Sequence, residues 1–175
     1  MRSIILIGFM GTGKTLVGRR LAEILGMTFI DTDTLIEEAV GMSIGQLFER
    51  HGEPYFRNLE RQVVASISED HSQVVATGGG VVLDGENVAH LKKMGTMIHL
   101  SARADVILDR IRNQSQRPLL QTENAKKRIE SLLAQRAPSY ALADLEIDTS
   151  ELGCEDVVER ILRYLQESKN GTSAG

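Results

Sequence analysis

The sequence is poor in the residues that build several common kinds of protein site. Its 175 residues contain no tryptophan, four phenylalanines, three tyrosines and a single cysteine, Cys154. One cysteine cannot form an internal disulfide, so we expect a reducing compartment, the cytoplasm. The few aromatic side chains leave little for a surface on which nucleic-acid bases could stack.

Positive charge is also in short supply. Twenty lysines and arginines against 24 aspartates and glutamates give a net charge of −4 and a pI near 5.6. Nucleic-acid phosphates demand a basic face, so we expect no nucleic-acid partner. No apolar stretch approaches the length of a membrane span, and the short run at residues 4–10 leads to Lys14 without a cleavage site. We therefore expect neither a membrane partner nor a signal peptide, but a globular monomer.

The strongest motif is Gly-Phe-Met-Gly-Thr-Gly-Lys-Thr at residues 8–15. It satisfies every position of the phosphate-binding P-loop pattern. An apolar, β-branched run precedes it, and apolar residues at helical spacing follow it, which is the strand–loop–helix context of a P-loop. Lys14 would contact the outer phosphates, and the Thr15 hydroxyl would bind Mg²⁺. A glycine-rich turn before a structural helix is the alternative, but the complete pattern favours a site for a nucleoside triphosphate.

Short apolar runs alternate with helical patterns along the rest of the chain. Five strands are predicted, at residues 4–7, 28–30, 74–77, 96–100 and 145–147. Capping-box spacing of Thr34 with Glu37, and of Ser43 with Gln46, predicts two helix starts. This alternation predicts an α/β fold, a single domain with a five-stranded parallel sheet and helices on both faces. The domain is expected to span residues 1–167, followed by a disordered polar tail at 168–175.

Polar or glycine-rich segments follow the first three predicted strands. The P-loop follows the first, Asp-Thr-Asp at residues 31–33 the second, and three glycines at 78–80 the third. Ligands of parallel sheets bind beyond the carboxyl ends of the strands, so these segments are expected to meet. One carboxylate could support Mg²⁺ while the other contacts a phosphoryl acceptor, or both could cap helices. The glycines could admit a ligand to the backbone or form only a tight turn.

In this order the motifs resemble the shikimate kinase family, over about residues 3–167. The resemblance also rests on Phe-Arg-Asn-Leu-Glu at residues 56–60, Arg-Pro-Leu-Leu at 117–120 and Arg-Ala-Pro-Ser-Tyr at 136–140. It implies a P-loop kinase of the nucleoside-monophosphate-kinase-like fold. Such an enzyme transfers the γ-phosphoryl group of ATP to the 3-hydroxyl of shikimate, with Mg²⁺ as cofactor, in aromatic amino-acid biosynthesis.

The resemblance also implies a role for each matching residue. Asp33 is the candidate base at the accepting hydroxyl, and the implied catalytic residues are Asp33, Lys14 and Arg117. The implied ATP-binding residues are Gly11, Thr12, Gly13, Lys14, Thr15, Leu16, Arg110 and Arg117, with Arg110 near the adenine. The implied shikimate-binding residues are Asp33, Arg57, Gly79, Gly80 and Arg136. Thr15 and Asp31 would hold the metal, and Arg117 would lie on a mobile lid at about residues 113–122.

The chemistry of the residues agrees with these roles. Arginine offers a planar fork for the carboxylate of a small anionic polyol, and Glu60 lies one helical turn after Arg57, where it could hold the guanidinium. Phe48 and Phe56 resemble pocket-lining residues, although ordinary core packing is the alternative.

Two other functions stay open from the residues alone. One is another small-molecule kinase of this fold, such as a gluconate kinase, and the other is a nucleotide-dependent binding module. The sequence lacks the Asp-Gly-[Phe/Tyr]-Pro-Arg segment expected of adenylate kinases. It also lacks the Asn-Lys-x-Asp tetrapeptide of GTPases.

Overall fold

The computed structural model describes residues 2–112 and 124–172 of the chain, with side-chain surroundings up to residue 168. The elements are β1 (Ser3–Ile7), α1 (Lys14–Leu25), β2 (Thr28–Asp31), α2 (Thr32–Val40), α3 (Ile44–Ser66), β3 (Gln73–Ala76), a 3₁₀ turn (Val81–Leu83), α4 (Gly85–Met94), β4 (Gly95–Ser101), α5 (Ala104–Arg112), α6 (Ala125–Tyr140), β5 (Leu145–Asp148) and α7 (Cys154–Thr172).

The five strands form one parallel sheet in the order β2-β3-β1-β4-β5. Successive side chains of β1 point to opposite faces of the sheet. Ile4 and Leu6 pack with α1 and α7, while Ile5 and Ile7 pack with α3 and α4. All four of these side chains are fully buried, which explains why β1 is an unbroken apolar run. The predicted α/β fold, with a five-stranded parallel sheet and helices on both faces, is confirmed.

Helix α2 begins earlier than its sequence pattern predicts. Asp31 caps it, with Oδ1 accepting a hydrogen bond from the backbone N–H of Asp33 at 3.1 Å. The capping box predicted at Thr34 is therefore wrong, because Glu37 accepts from the backbone N–H of Ile44 at 2.8 Å instead. The side chain that opens α2 thus lies at the carboxyl end of β2, on the edge where ligands bind.

Two helices remain to be compared with the sequence. The separate helices predicted before and after Gly52 are confirmed, because α3 consists of two helical segments that meet at Gly52, where the backbone is non-helical (φ 77°, ψ 174°). The predicted capping box of Ser43 and Gln46 at the start of α3 is confirmed. Helix α7 runs to Thr172, beyond the position at which the polar tail was expected to begin. Within residues 2–112 and 124–172, no helix is both long and apolar enough to cross a membrane.

Candidate active site

The P-loop lies between β1 and α1 and is held from inside by its own lysine. The Lys14 ammonium donates hydrogen bonds to the backbone oxygens of Gly8 and Phe9, each at 2.8 Å. The Thr12 hydroxyl donates to the same Phe9 oxygen at 2.8 Å. A Cβ at Gly8 would collide with the backbone oxygen of Leu100, so the loop passes β4 too closely for any other residue. No side chain caps the start of α1, which leaves its positive end to an anion.

A hydroxyl and a carboxylate meet beside the P-loop. Thr15 Oγ1 donates to Asp31 Oδ2 at 2.8 Å, while the other Asp31 oxygen caps α2. Mg²⁺ prefers such hard oxygen ligands and commonly takes one or two of them from the protein, with phosphates and water supplying the rest. The described residues contain no group of three or more His, Cys, Asp or Glu side chains that could hold a metal by themselves. This pair therefore fits a magnesium ion that arrives with a nucleotide.

Two carboxylates converge on the first glycine of the triple-glycine turn. A Cβ at Gly78 would lie 2.7 Å from Asp33 Oδ1 and 2.9 Å from Glu60 Oε1, so a larger residue would displace both. The buried Thr32 hydroxyl accepts a hydrogen bond from the Gly78 N–H at 3.0 Å and ties the turn to α2. Glu60 is 1% exposed, and its Oε1 has no hydrogen-bond partner among the described residues. Burial raises the pKa of Glu60 against the opposing charge of Arg57.

Arg57 lies against the last glycine of the same turn. Its Nη1 donates to Glu60 Oε2 at 2.8 Å and its Nη2 to Glu53 Oε1 at 3.0 Å, so the Glu60 contact is the one its spacing predicts. A Cβ at Gly80 would come within 2.5 Å of both terminal nitrogens of Arg57. Burial alone would lower the pKa of Arg57, but the charges and hydrogen bonds of Glu60 and Glu53 raise it overall. The guanidinium is thus a fixed, permanent cation.

The middle glycine of the turn contacts α6. Arg136 Nη1 and the Tyr140 hydroxyl both donate to the Gly79 oxygen, at 3.1 Å and 2.7 Å. The Arg136 guanidinium also lies 5.2 Å from the centroid of the Phe9 ring, and its buried Nε has no partner among the described residues. Arg136 and Arg57 therefore both reach the three-glycine turn, Arg57 from α3, which precedes the turn in the sequence, and Arg136 from α6, which follows it.

Arg110 braces the outer part of the P-loop. Its Nη1 donates to the Gly11 oxygen at 3.2 Å and to Thr149 Oγ1 at 3.0 Å. The Thr149 hydroxyl, which is 3% exposed, lies 3.1 Å from the Thr12 oxygen and 3.0 Å from that of Ser101. Sequence reasoning missed Thr149, since a lone threonine after a strand carries no signal. The adenine contact implied for Arg110 stays a prediction.

The structure brings most of the sequence-predicted residues to one edge of the sheet. Thr15 and Asp31 form one contact, and Asp33, Arg57 and Arg136 all reach the glycine turn. Leu16, next to the P-loop, is 63% exposed.

The two phenylalanines of α3 and the predicted lid stand apart from that group. Phe56 is buried in the core, whereas Phe48 is exposed, and their rings lie 4.8 Å apart between centroids at a tilt of 33°. Arg117 and the rest of the predicted lid lie outside the described residues.

The strand order and the nucleotide loop define the class of protein first. A P-loop at the carboxyl end of a central parallel strand, with a hydroxyl–carboxylate pair beside it, makes the chain a P-loop kinase of small molecules. Comparison with known proteins then narrows the class. The profile of the family described as Shikimate kinase matches residues 10–166. The chain belongs to the shikimate kinase family.

Individual relatives agree with this assignment along almost the whole chain. The shikimate kinase of Caldanaerobacter subterraneus subsp. tengcongensis is 49% identical over 163 residues, 93% of this chain and 95% of that protein. The shikimate kinase of Thermodesulfovibrio yellowstonii is 47% identical over 171 residues, 98% of this chain and 99% of that protein. A solved shikimate kinase from Acinetobacter baumannii, in complex with shikimate, superimposes with a TM-score of 0.91 at 37% identity, covering 97% of this chain and 95% of the other.

Proposed function

We propose that the chain is a cytoplasmic, monomeric enzyme that transfers the γ-phosphoryl group of ATP to the 3-hydroxyl of shikimate, in aromatic amino-acid biosynthesis. The observation that carries the proposal is the glycine turn at residues 78–80. Two arginines and the Asp33 carboxylate converge on it, next to a complete P-loop. A cationic grip and a carboxylate on one short backbone segment suit an acceptor that carries both an acid group and a hydroxyl.

The nucleotide half of the site binds phosphate through backbone N–H groups and through charged side chains. The P-loop N–H groups and the start of α1 bind the phosphates, and Lys14 turns from the loop oxygens towards the transferred group. Thr15 and Asp31 would hold Mg²⁺, which neutralises phosphate charge when it is bound. Because phosphoryl transfer needs little covalent help from the protein, the main task of these residues is to position and neutralise charge.

The acceptor half fixes shikimate at its two ends. Arg57, held rigidly by Glu60 and Glu53, binds the carboxylate together with Arg136 and the backbone of Gly79 and Gly80. Asp33 contacts the 3-hydroxyl and either takes its proton or aligns its oxygen with the γ-phosphorus. Glu60 keeps Arg57 in place without touching the reacting atoms.

An acceptor screen tests the function directly. Purified enzyme with ATP and Mg²⁺ is given shikimate, gluconate or AMP, and ADP formation is followed. We expect rapid ADP formation only with shikimate. Equal rates with gluconate or AMP would refute the acceptor, and ATP consumption without any acceptor would favour the nucleotide-dependent binding module.

The arginine grip is tested by Arg57→Ala. Removal of one partner of a buried charge pair costs about 2–5 kcal/mol, so shikimate affinity should fall by roughly 30- to 5,000-fold. ATP affinity should stay near that of the wild type, because the Arg57 guanidinium donates its hydrogen bonds to Glu53 and Glu60 and not to the P-loop. Arg61→Ala is the matched control, since Arg61 lies one turn further along α3 and pairs with Asp84 at 2.6 Å. Calorimetry that shows unchanged shikimate affinity in Arg57→Ala would contradict the proposal.

A further inference from the structure

The backbone carbonyl of Gly79 accepts two hydrogen bonds. The N–H of the same peptide bond belongs to Gly80, a predicted shikimate-binding residue. We propose that Tyr140 is a positioning residue that aims the Gly80 N–H at the acceptor by holding the Gly79 carbonyl from behind. This inference rests on the proposed function. Tyr140 does not touch the substrate, and its effect passes through one peptide plane.

The geometry of the peptide bond carries the first step. None of the described peptide bonds is cis, so the carbonyl of Gly79 and the N–H of Gly80 point in opposite directions within one plane. The Tyr140 hydroxyl donates to this carbonyl at 2.7 Å. The Gly80 N–H donates to no acceptor among the described residues. Two glycines flank the plane, and glycine is the residue least able to fix its own backbone. The turn around them is closed by the Val81 N–H, which donates to the Gly78 oxygen at 3.1 Å, and the Tyr140 hydroxyl restrains the peptide plane from outside that turn.

The second step is the rigidity of the anchor. Tyr140 is 3% exposed, and its ring stacks on that of His99 at 4.5 Å and 15°. His99 lies on β4, where it pairs with Ile7 of the central strand. Burial lowers the pKa of His99, with Lys14 adding to the shift and Glu146 opposing it, so the stack is a neutral one near pH 7. The position of the Tyr140 hydroxyl is therefore fixed relative to the sheet, through the stacked His99 ring on β4.

Arg136, the other donor to the Gly79 carbonyl, has a different task. It is a long side chain whose Nε lacks a partner among the described residues, and the proposed function turns it towards the shikimate carboxylate. The Tyr140 hydroxyl interacts with Arg136 as well as with the Gly79 oxygen, but the buried, stacked ring of the tyrosine holds it in place. The tyrosine thus keeps the peptide plane in place while the arginine engages the acceptor.

Tyr140→Phe removes the hydroxyl and keeps the stacked ring. We expect the KM for shikimate to rise by roughly 2- to 12-fold, the change equivalent to one weakened neutral hydrogen bond from the misaimed Gly80 N–H. The KM for ATP should stay close to the wild-type value, while the melting temperature should fall by only a few degrees, because one buried hydrogen bond of the fold is lost. Tyr164→Phe is the matched control, because that hydroxyl donates to the Asp144 oxygen at 3.3 Å on the exposed surface.

A second measurement reads the peptide plane without any substrate. In ¹⁵N-labelled protein, Tyr140→Phe should move the amide signal of Gly80, since the carbonyl bonded to that nitrogen loses a donor, whereas Tyr164→Phe should not. An unmoved Gly80 signal, or a wild-type KM for shikimate in an otherwise active Tyr140→Phe enzyme, would overturn the inference. Equal rises in the KM of both substrates would also overturn it. If wild-type enzyme fails to phosphorylate shikimate, the proposed function fails, and the amide signal still tests the positioning contact.

Discussion

The contact between Gly80 and Arg57 makes the most specific prediction for the acceptor site. Gly80→Ala would place a methyl carbon 2.5 Å from both terminal nitrogens of Arg57 and 2.8 Å from its central carbon. Ordinary contacts of a Cβ begin at 3.4 Å, so the guanidinium has to retreat. The backbone itself accepts alanine, because Gly80 has φ −106° and ψ 2°. An effect of the substitution therefore does not report a strained turn; it reports the displaced Arg57 guanidinium, together with any direct contact of the new methyl group with the acceptor.

The size of the effect follows from how firmly Arg57 is held. Glu60 and Glu53 hold the guanidinium at 2.8 Å and 3.0 Å, so it cannot swing away without losing a charged hydrogen bond. A displacement of about 1 Å in a positioning group can cost on the order of 100-fold in rate. We expect kcat/KM for shikimate to fall by about 10- to 100-fold.

Steady-state kinetics with shikimate varied at saturating ATP, together with a calorimetric titration of ATP, measures this effect. ATP affinity should not change, because the nucleotide loop does not contact Arg57. Gly85→Ala is the matched control, since a Cβ at that glycine meets nothing within 4 Å. A Gly80→Ala enzyme with wild-type kcat/KM for shikimate would refute the role of the fixed guanidinium, and so would an equal loss in Gly85→Ala.

Three further predictions concern charge. Asp33→Asn should lower turnover about 10²–10⁴-fold with ATP affinity retained, and near-normal turnover would leave Asp33 a helix residue only. Asp31→Asn should raise the Mg²⁺ concentration needed for half-maximal activity, and an unchanged Mg²⁺ titration would remove Asp31 from the metal site. Because the pKa of His99 is lowered in the folded state, the free energy of unfolding should fall as the pH drops below about 6.5 in wild type more than in His99→Gln. Denaturant titrations in which the free energy of unfolding of the two proteins changes equally with pH would contradict the lowered pKa of His99.

The parts of the molecule that the sequence predicts are those written in local patterns. The P-loop, the alternating strands and helices, and the approach of three strand ends all follow from periodicity and from the rule for parallel sheets. Asp31 shows the limit of such reasoning. The sequence left open whether it caps a helix or supports a metal, whereas the structure gives one oxygen to the helix and the other to Thr15.

Contacts between distant segments escaped the sequence for a physical reason. The stack of His99 on Tyr140 and the hydrogen bond of Arg110 to Thr149 each join residues about 40 apart along the chain, and the hydrogen bond from Thr149 to the Thr12 oxygen of the P-loop spans 137 residues. Each depends on which strands become neighbours, and no short pattern encodes that. The Arg57–Glu60 pair was predictable, because both residues lie on one turn of one helix.

The position of the transferred phosphate tests the account most directly. Enzyme, ATP, Mg²⁺ and shikimate are incubated to completion, and the product is examined by ³¹P and ¹³C NMR spectroscopy. The account predicts one phosphate ester, with phosphorus coupling to carbon 3 of the shikimate ring, because it assigns Asp33 to the 3-hydroxyl and Arg57 and Arg136 to the carboxylate. Coupling to another ring carbon, or free phosphate in place of an ester, would contradict it.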